Sequence, residues 1–140
     1  MSVKLEFVDT NVLLYAYDNT NPVKQGKAAD LIERLWLQRT GAISIQVTQE
    51  FLNNIRRKVA SGMTLEDAIG VMGQFSDWQI HSPNLENVLT AARNTELFKV
   101  SFWDALILES ALALGCAVVW SEDLNHGQVY AGVRIQNPFL

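Results

Sequence analysis

The chain has 140 residues, a length that fits one domain around one core, expected to span residues 1–140. With 49% hydrophobic and 19% charged residues, it reads as a folded globule and not as a disordered tail or linker. A net charge of -4 excludes a protein that holds nucleic acid through its overall field, so any such contact must be local or metal-assisted.

In chain order, Leu5 to Val8 is a short apolar run that predicts a strand, and Asp9 follows it at once. Asn21-Pro22 opens a helix in which Ala28, Leu31, Ile32 and Leu35 keep the 3.6-residue period until Gly41. Ala42 to Ile45 predicts a second strand. The helix from Gln46 to Ala60 that follows carries the stripe Val47, Phe51, Ile55 and Val59, and Gly62 stops it. Thr64 and Asp67 form a capping-box pattern before a helix with Ala68, Ile69, Met72 and Phe75, then a strand is expected around Trp78 to Ile80. Pro83 starts a helix whose stripe is Leu85, Val88, Leu89 and Ala92. Ser101 caps a further helix through Leu114, ended by Gly115. Ala117 to Trp120 is a nearly continuous apolar strand, and Val133 to Ile135 reads as a last, edge strand.

The longest weakly polar stretch, Ala111 to Trp120, is too short for the roughly 20 residues a bilayer span needs. Lys4, Glu6 and Asp9 interrupt any N-terminal signal-type run, so a cytoplasmic protein without membrane contact is expected. Cys116, the lone cysteine, lies in an apolar run and reads as a buried structural thiol.

Strands alternating with helices predict an α/β fold with right-handed crossovers and a mostly parallel sheet. Such sheets place their sites beyond the carboxyl ends of the strands. Asp9 and Asp123 each follow a strand, while Glu50 and Asp104 lie in the first turns of helices that follow the same rim. Taken singly, each acid reads equally as a turn residue or helix cap. Together they predict four carboxylates converging from separate segments, an arrangement that is costly unless a cation neutralises it. Mg²⁺ or Mn²⁺, one or two ions, suits such hard oxygen donors and supports phosphodiester hydrolysis. Thr10, Asn11 and Ser121 are neutral polar neighbours suited to orienting carboxylates or water.

Four stretches, FVDTNVLLYAYD, ISIQVTQEFLNN, SFWDALILESAL and VVWSEDLNHGQ, resemble in order and spacing the blocks of PIN-domain nucleases, most nearly the VapC-type toxins of toxin-antitoxin pairs. The resemblance covers essentially the whole chain. It implies a three-layer α/β/α sandwich with a central mostly parallel sheet and a metal-dependent endoribonuclease site. By position it implies Asp9, Glu50, Asp104 and Asp123 as the metal-binding and catalytic acids, with Asn11 and Ser121 beside them. It also implies an RNA substrate, a homodimer and a cognate antitoxin protein. Two departures from the family pattern are Glu122, an alternative to Asp123, and Glu109, an additional acid read as solvated.

Among the remaining residues, Arg56, Arg57 and Lys58 read as a solvated helix face with phosphate contact as the alternative. Trp103 and Trp120 read as core residues, with base stacking as the alternative. His81 and His126 have no role in the expected chemistry. Two rival functions stand beside the nuclease. One is a catalytically silent PIN-like module that binds RNA or protein. The other is a haloacid-dehalogenase-like phosphatase, which is disfavoured because Asn11 stands where that chemistry wants a second Asp.

Overall fold

Phe7 and Val8 have no exposed surface, as suits a strand flanked and covered on every side. They belong to β1 (Glu6–Val8) in a computed structural model that describes residues 4–140. Downstream of β1 come α1 (Thr10–Tyr15), α2 (Pro22–Gln38) and β2 (Gly41–Ser44). Next, α3 (Ile45–Asn54), α4 (Leu65–Gln74) and a 3-10 turn (Phe75–Asp77) lead to β3 (Gln79–His81). The pair α5 (Leu85–Phe98) and α6 (Phe102–Ala113) leads to β4 (Val118–Trp120), and β5 (Val129–Tyr130) and β6 (Val133–Gln136) complete the order.

Among the described residues the strands form one sheet in the order β3-β2-β1-β4-β6-β5, parallel except for the β5–β6 pair. The connections β1 to β2 and β2 to β3 step outward in one direction, while β3 to β4 returns across the sheet. Right-handed crossovers therefore put α1 to α4 on one face and α5 with α6 on the other, which gives the expected three layers. The strand order reverses at β1 and β4, the switch point beyond which an open α/β sheet forms its crevice.

Local chemistry explains most helix starts. Asn21 accepts from the Lys24 amide and Pro22 holds the first turn of α2, which buries Ala28, Leu31, Ile32 and Leu35 on one stripe. Thr64 and Asp67 make both bonds of a capping box. In β1, Glu6 is held by both Arg34 guanidinium nitrogens, at 2.9 and 3.0 Å, and by the Trp120 indole N–H at 2.9 Å. Burial pushes that carboxyl up, but the Arg34 and Trp120 bonds and the guanidinium charge outweigh it and hold it below its ordinary value.

Several expectations need correction. The six-residue α1 was not anticipated; its Val12, Leu13 and Leu14 continue the apolar run of β1 and hide the change of period. Helix α2 stops at Gln38 with Arg39 in the left-handed region, and Gly41 begins β2 instead of ending the helix. A Cβ at Gly41 would lie 2.6 Å from the Trp78 ring, which is why glycine stands there. Helix α3 ends at Asn54 and not at Ala60; beyond it the chain turns so that the Ala60 carbonyl accepts from the Asn19 amide at 2.9 Å. Of the stripe expected on α5 only Val88 packs inward; Leu85, Leu89 and Ala92 are exposed, and Ala91 is the buried position, packed with Ala105 and Leu106 of α6. Finally, β6 is not an edge strand, because β5 folds back to cover it. Cys116 is buried as expected, and burial pushes its thiol up to about 12. No described helix is long and apolar enough to cross a membrane.

Candidate active site

The site begins where β1 and β4 end side by side. Val8 pairs with Trp120, and the Asp9 amide donates to the Trp120 carbonyl at 3.0 Å, so Asp9 and Ser121 leave the sheet as neighbours. Asp9 caps α1, accepting from the Thr10 amide at 2.7 Å through one carboxylate oxygen. Its other oxygen accepts from the Ser121 hydroxyl at 2.9 Å. Ser121 is fully buried and its oxygen also accepts from the amides of Asp123 and Leu124, at 3.1 and 3.3 Å. One hydroxyl thus fixes both Asp9 and the turn that carries Asp123.

The neighbouring residues complete the frame. Thr10 donates its hydroxyl to Glu50 of α3 at 2.9 Å, and Asn11 donates its side-chain amide to the Asp123 carboxylate. Asp104 enters from the first turn of α6, where its amide donates to the Ser101 hydroxyl at 3.1 Å. A groove of about 460 Å³ opens beside Asp104 and Asp123, with Lys99, Asn125, Gln128 and Tyr130 along its walls.

Electrostatics mark Asp9 as the unusual member. Burial pushes its carboxyl from an ordinary 3.8 up to about 7; the Ser121 and Thr10 bonds oppose that rise, and the charges of Asp123 and Asp104 add to it. Burial and the Asp123 charge likewise raise Asp104, against the bond from Ser101. The three aspartates are within electrostatic reach of one another, and Glu50 is one hydrogen bond from the residue after Asp9. They are not drawn into one shell: among the described residues no three His, Cys, Asp or Glu side chains converge closely enough to hold an ion as they stand. The donor chemistry nonetheless fits Mg²⁺ or Mn²⁺, since every member is a hard oxygen and Asp9 is a buried carboxylate with no cation among its partners.

The other candidates separate cleanly. Glu122 turns away from the aspartates and pairs with Lys24 at 2.6 Å, with the Tyr15 hydroxyl at 3.4 Å. Glu109 is half-buried and accepts from Asn87 of α5 at 2.8 Å, so it is only partly solvated and is not bonded to the other acids. Arg56, Arg57 and Lys58 are exposed, as expected, but lie in the turn beyond α3 and not on a helix face. Trp120 packs against the core while its indole serves Glu6. Trp103, by contrast, is 62% exposed, so its expected core role is overturned. His81 meets Ser110 at 2.8 Å and His126 accepts from the Asn137 amide at 3.0 Å, bonds that tie the fold together. Sequence reasoning missed Gln46, which is buried and donates to the Trp103 carbonyl at 3.3 Å. Its only signal was its place one helical turn before Glu50.

With this geometry in hand, the comparisons with known proteins are specific. A family model described as PIN domain matches residues 7–132. A DNA-bound VapBC from Salmonella typhimurium is similar in fold, at a TM-score of 0.65 and 20% identity, over 97% of this chain and 99% of that one. A toxin-antitoxin complex from Klebsiella pneumoniae matches with a TM-score of 0.70 and 15% identity, covering 95% of this chain and 97% of that one. VapC20 from Mycobacterium tuberculosis, a Sarcin-Ricin loop cleaving toxin, matches with a TM-score of 0.65 and 17% identity, over 92% and 98%. No curated protein matches the chain.

Proposed function

The chain belongs to the PIN domain family, and from that premise we propose that it is a metal-dependent endoribonuclease, the toxin of a toxin-antitoxin pair. The observation that carries the reading is the grouping of Asp9, Asp104 and Asp123 at the switch point of the sheet, with Asp9 buried and pushed up to about 7. Asp9, Glu50, Asp104 and Asp123 would hold one or two Mg²⁺ or Mn²⁺ ions, directly or through water. When bound, the metal supplies positive charge to polarise a phosphoryl oxygen and to make water nucleophilic at neutral pH.

The chain's own residues do the arranging. Ser121 donates to one Asp9 oxygen and leaves the carboxylate free to act as an anion, while Thr10 fixes the other oxygen through its backbone amide. Asn11 aims Asp123, and the Thr10 hydroxyl aims Glu50. Lys24 keeps Glu122 out of the group, which limits the like-charge repulsion that the site must bear. A single-stranded RNA, a homodimer and an antitoxin are the proposed partners, and the cytoplasm is the proposed compartment. A basic antitoxin segment would suit an acidic cleft on a chain of net charge -4.

The test compares cleavage of a mixed single-stranded RNA pool by the parent and by Asp9→Asn, in Mg²⁺, in Mn²⁺ and in EDTA. Cleavage by the parent alone, abolished by EDTA, is the expected result. A second reading, a catalytically silent module that binds RNA or protein, draws on the observation that no three described acids meet at one point. Folded parent protein, free of antitoxin, that cuts under none of these conditions would favour it. Gel filtration with and without a purified antitoxin tests the partner and the dimer independently.

A further inference from the structure

We propose that Trp103 is the platform on which a base of single-stranded RNA stacks beside the cleavage site, with Lys99 meeting a neighbouring phosphate. The inference rests on the nuclease reading and supplies the substrate contact that reading lacks. Trp103 is 62% exposed, whereas Trp36, Trp78 and Trp120 are buried or half-buried. An exposed indole offers a flat, polarisable apolar face on which a base can stack.

The residue's backbone is anchored. Trp103 lies in the first turn of α6, its carbonyl accepts from the buried Gln46 side chain at 3.3 Å, and its ring meets Phe102 edge-on, with centroids 5.1 Å apart at 76°. Gln46 and Glu50 lie one turn apart on α3, and Glu50 accepts from Thr10, so a single helix ties the Trp103 backbone to the residue after Asp9. Asp104 is the next residue in the chain. A nucleotide stacked on Trp103 would then sit one residue along the helix from an acid of the site.

The second contact is in the groove beside Asp104 and Asp123. Lys99 lines that groove, exposed, and neither ion pair among the described residues engages it. It ends α5 at a φ of 56°, in the left-handed region where glycine is the usual residue, so a cation stands where a helix would ordinarily choose no side chain. Acids and RNA phosphates repel, and the chain's net negative charge gives no long-range attraction. A base-stacking surface and one local cation offset that repulsion without reading sequence.

The experiment titrates a mixed-sequence single-stranded RNA oligonucleotide into parent, Trp103→Ala, Trp103→Phe and Lys99→Gln in EDTA, following intrinsic tryptophan fluorescence and fluorescence anisotropy of the labelled RNA. Parent fluorescence should quench on binding. Trp103→Ala should lose the quench and bind about tenfold more weakly, while Trp103→Phe should bind within about threefold of parent. Lys99→Gln should keep the quench and lower the salt dependence by about one phosphate contact. Parent that does not quench, or Trp103→Ala that binds as tightly as parent, overturns the proposal. So does Trp103→Ala that turns a dimer into a monomer without weakening RNA, which would assign the indole to a second copy. Cleavage in Mn²⁺ is scored separately: Trp103-dependent binding without cleavage by parent fails the nuclease reading alone, and cleavage unaffected by Trp103→Ala fails this inference alone.

Discussion

The Asp9 carboxyl ordinarily ionises near pH 4, and in the fold it does so near pH 7. Below pH 4 it is protonated in folded and unfolded chains alike and has no effect on stability. Between pH 4 and 7 only the unfolded chain gives up the proton, so the folded chain binds more protons and stability falls as pH rises. Above pH 7 the loss is complete, about 4 kcal/mol for a shift of this size. In EDTA the urea midpoint of the parent should therefore drop between pH 5 and pH 8, and Asp9→Asn, with no charge to bury, should drop less. Equal slopes would remove the electrostatic account. Under the proposed function the same variant loses RNA cleavage by on the order of a hundredfold or more. One substitution then raises stability at pH 8 and removes activity. Ser121→Ala takes a donor from Asp9 and an acceptor from two amides, so about 2–3 kcal/mol of stability should go at pH 8, read from urea unfolding.

At the scale of the element, Gly41 and Trp78 are the sharpest test of packing between β2 and the turn before β3. A Cβ at Gly41 would meet three Trp78 ring carbons at 2.6 Å, and the ring is 7% exposed. Gly41→Ala should cost about 1–3 kcal/mol in urea unfolding, and an unchanged midpoint would mean that the ring shifts freely. Helix starts at Asn21-Pro22, Thr64-Asp67 and Ser101 were legible because a cap is a bond between residues three apart. The end of α3 was not legible: the stripe Val47, Phe51, Ile55 continues past it, while the chain beyond Asn54 turns, with the Arg57 and Lys58 amides donating to the Asn54 carbonyl and, further on, the Ala60 carbonyl accepting from Asn19 of another segment. The buried face of α5 was misread for a related reason. Leucines set the expected stripe, but close approach to α6 selects Ala91 against Ala105.

Across the whole molecule, burial is uneven. One large cluster joins the sheet to α1 through α4 and to the sheet-facing side of α6, while Ala91, Ala105 and Leu106 form a small separate cluster under α5. Helix α5 has a single buried residue and should open first. Native-state hydrogen exchange should show its amides exchanging before those of β1, β2 and β4, and equal protection across these elements would refute that order. The charge of the molecule acts at the same scale. A net charge of -4 with three aspartates grouped at one rim should make divalent cations stabilise the fold at pH 8, and 1 mM Mn²⁺ should raise the parent's melting temperature more than that of Asp9→Asn.

Periodicity, caps and glycines are local quantities, so the sequence by itself determined the α/β alternation, most helix starts and the strand-end placement of Asp9 and Asp123. The order of acids along the chain was equally readable, since it survives any change in packing. Which of them face one another depends on register and crossover. Only the tertiary structure set Ser121 beside Asp9 through the β1–β4 pairing, turned Glu122 to Lys24 and Glu109 to Asn87, and left Trp103 in solvent while Trp120 packs against the core. Those outcomes rest on contacts between residues tens of positions apart, and no local pattern carries information about a partner that only folding brings near.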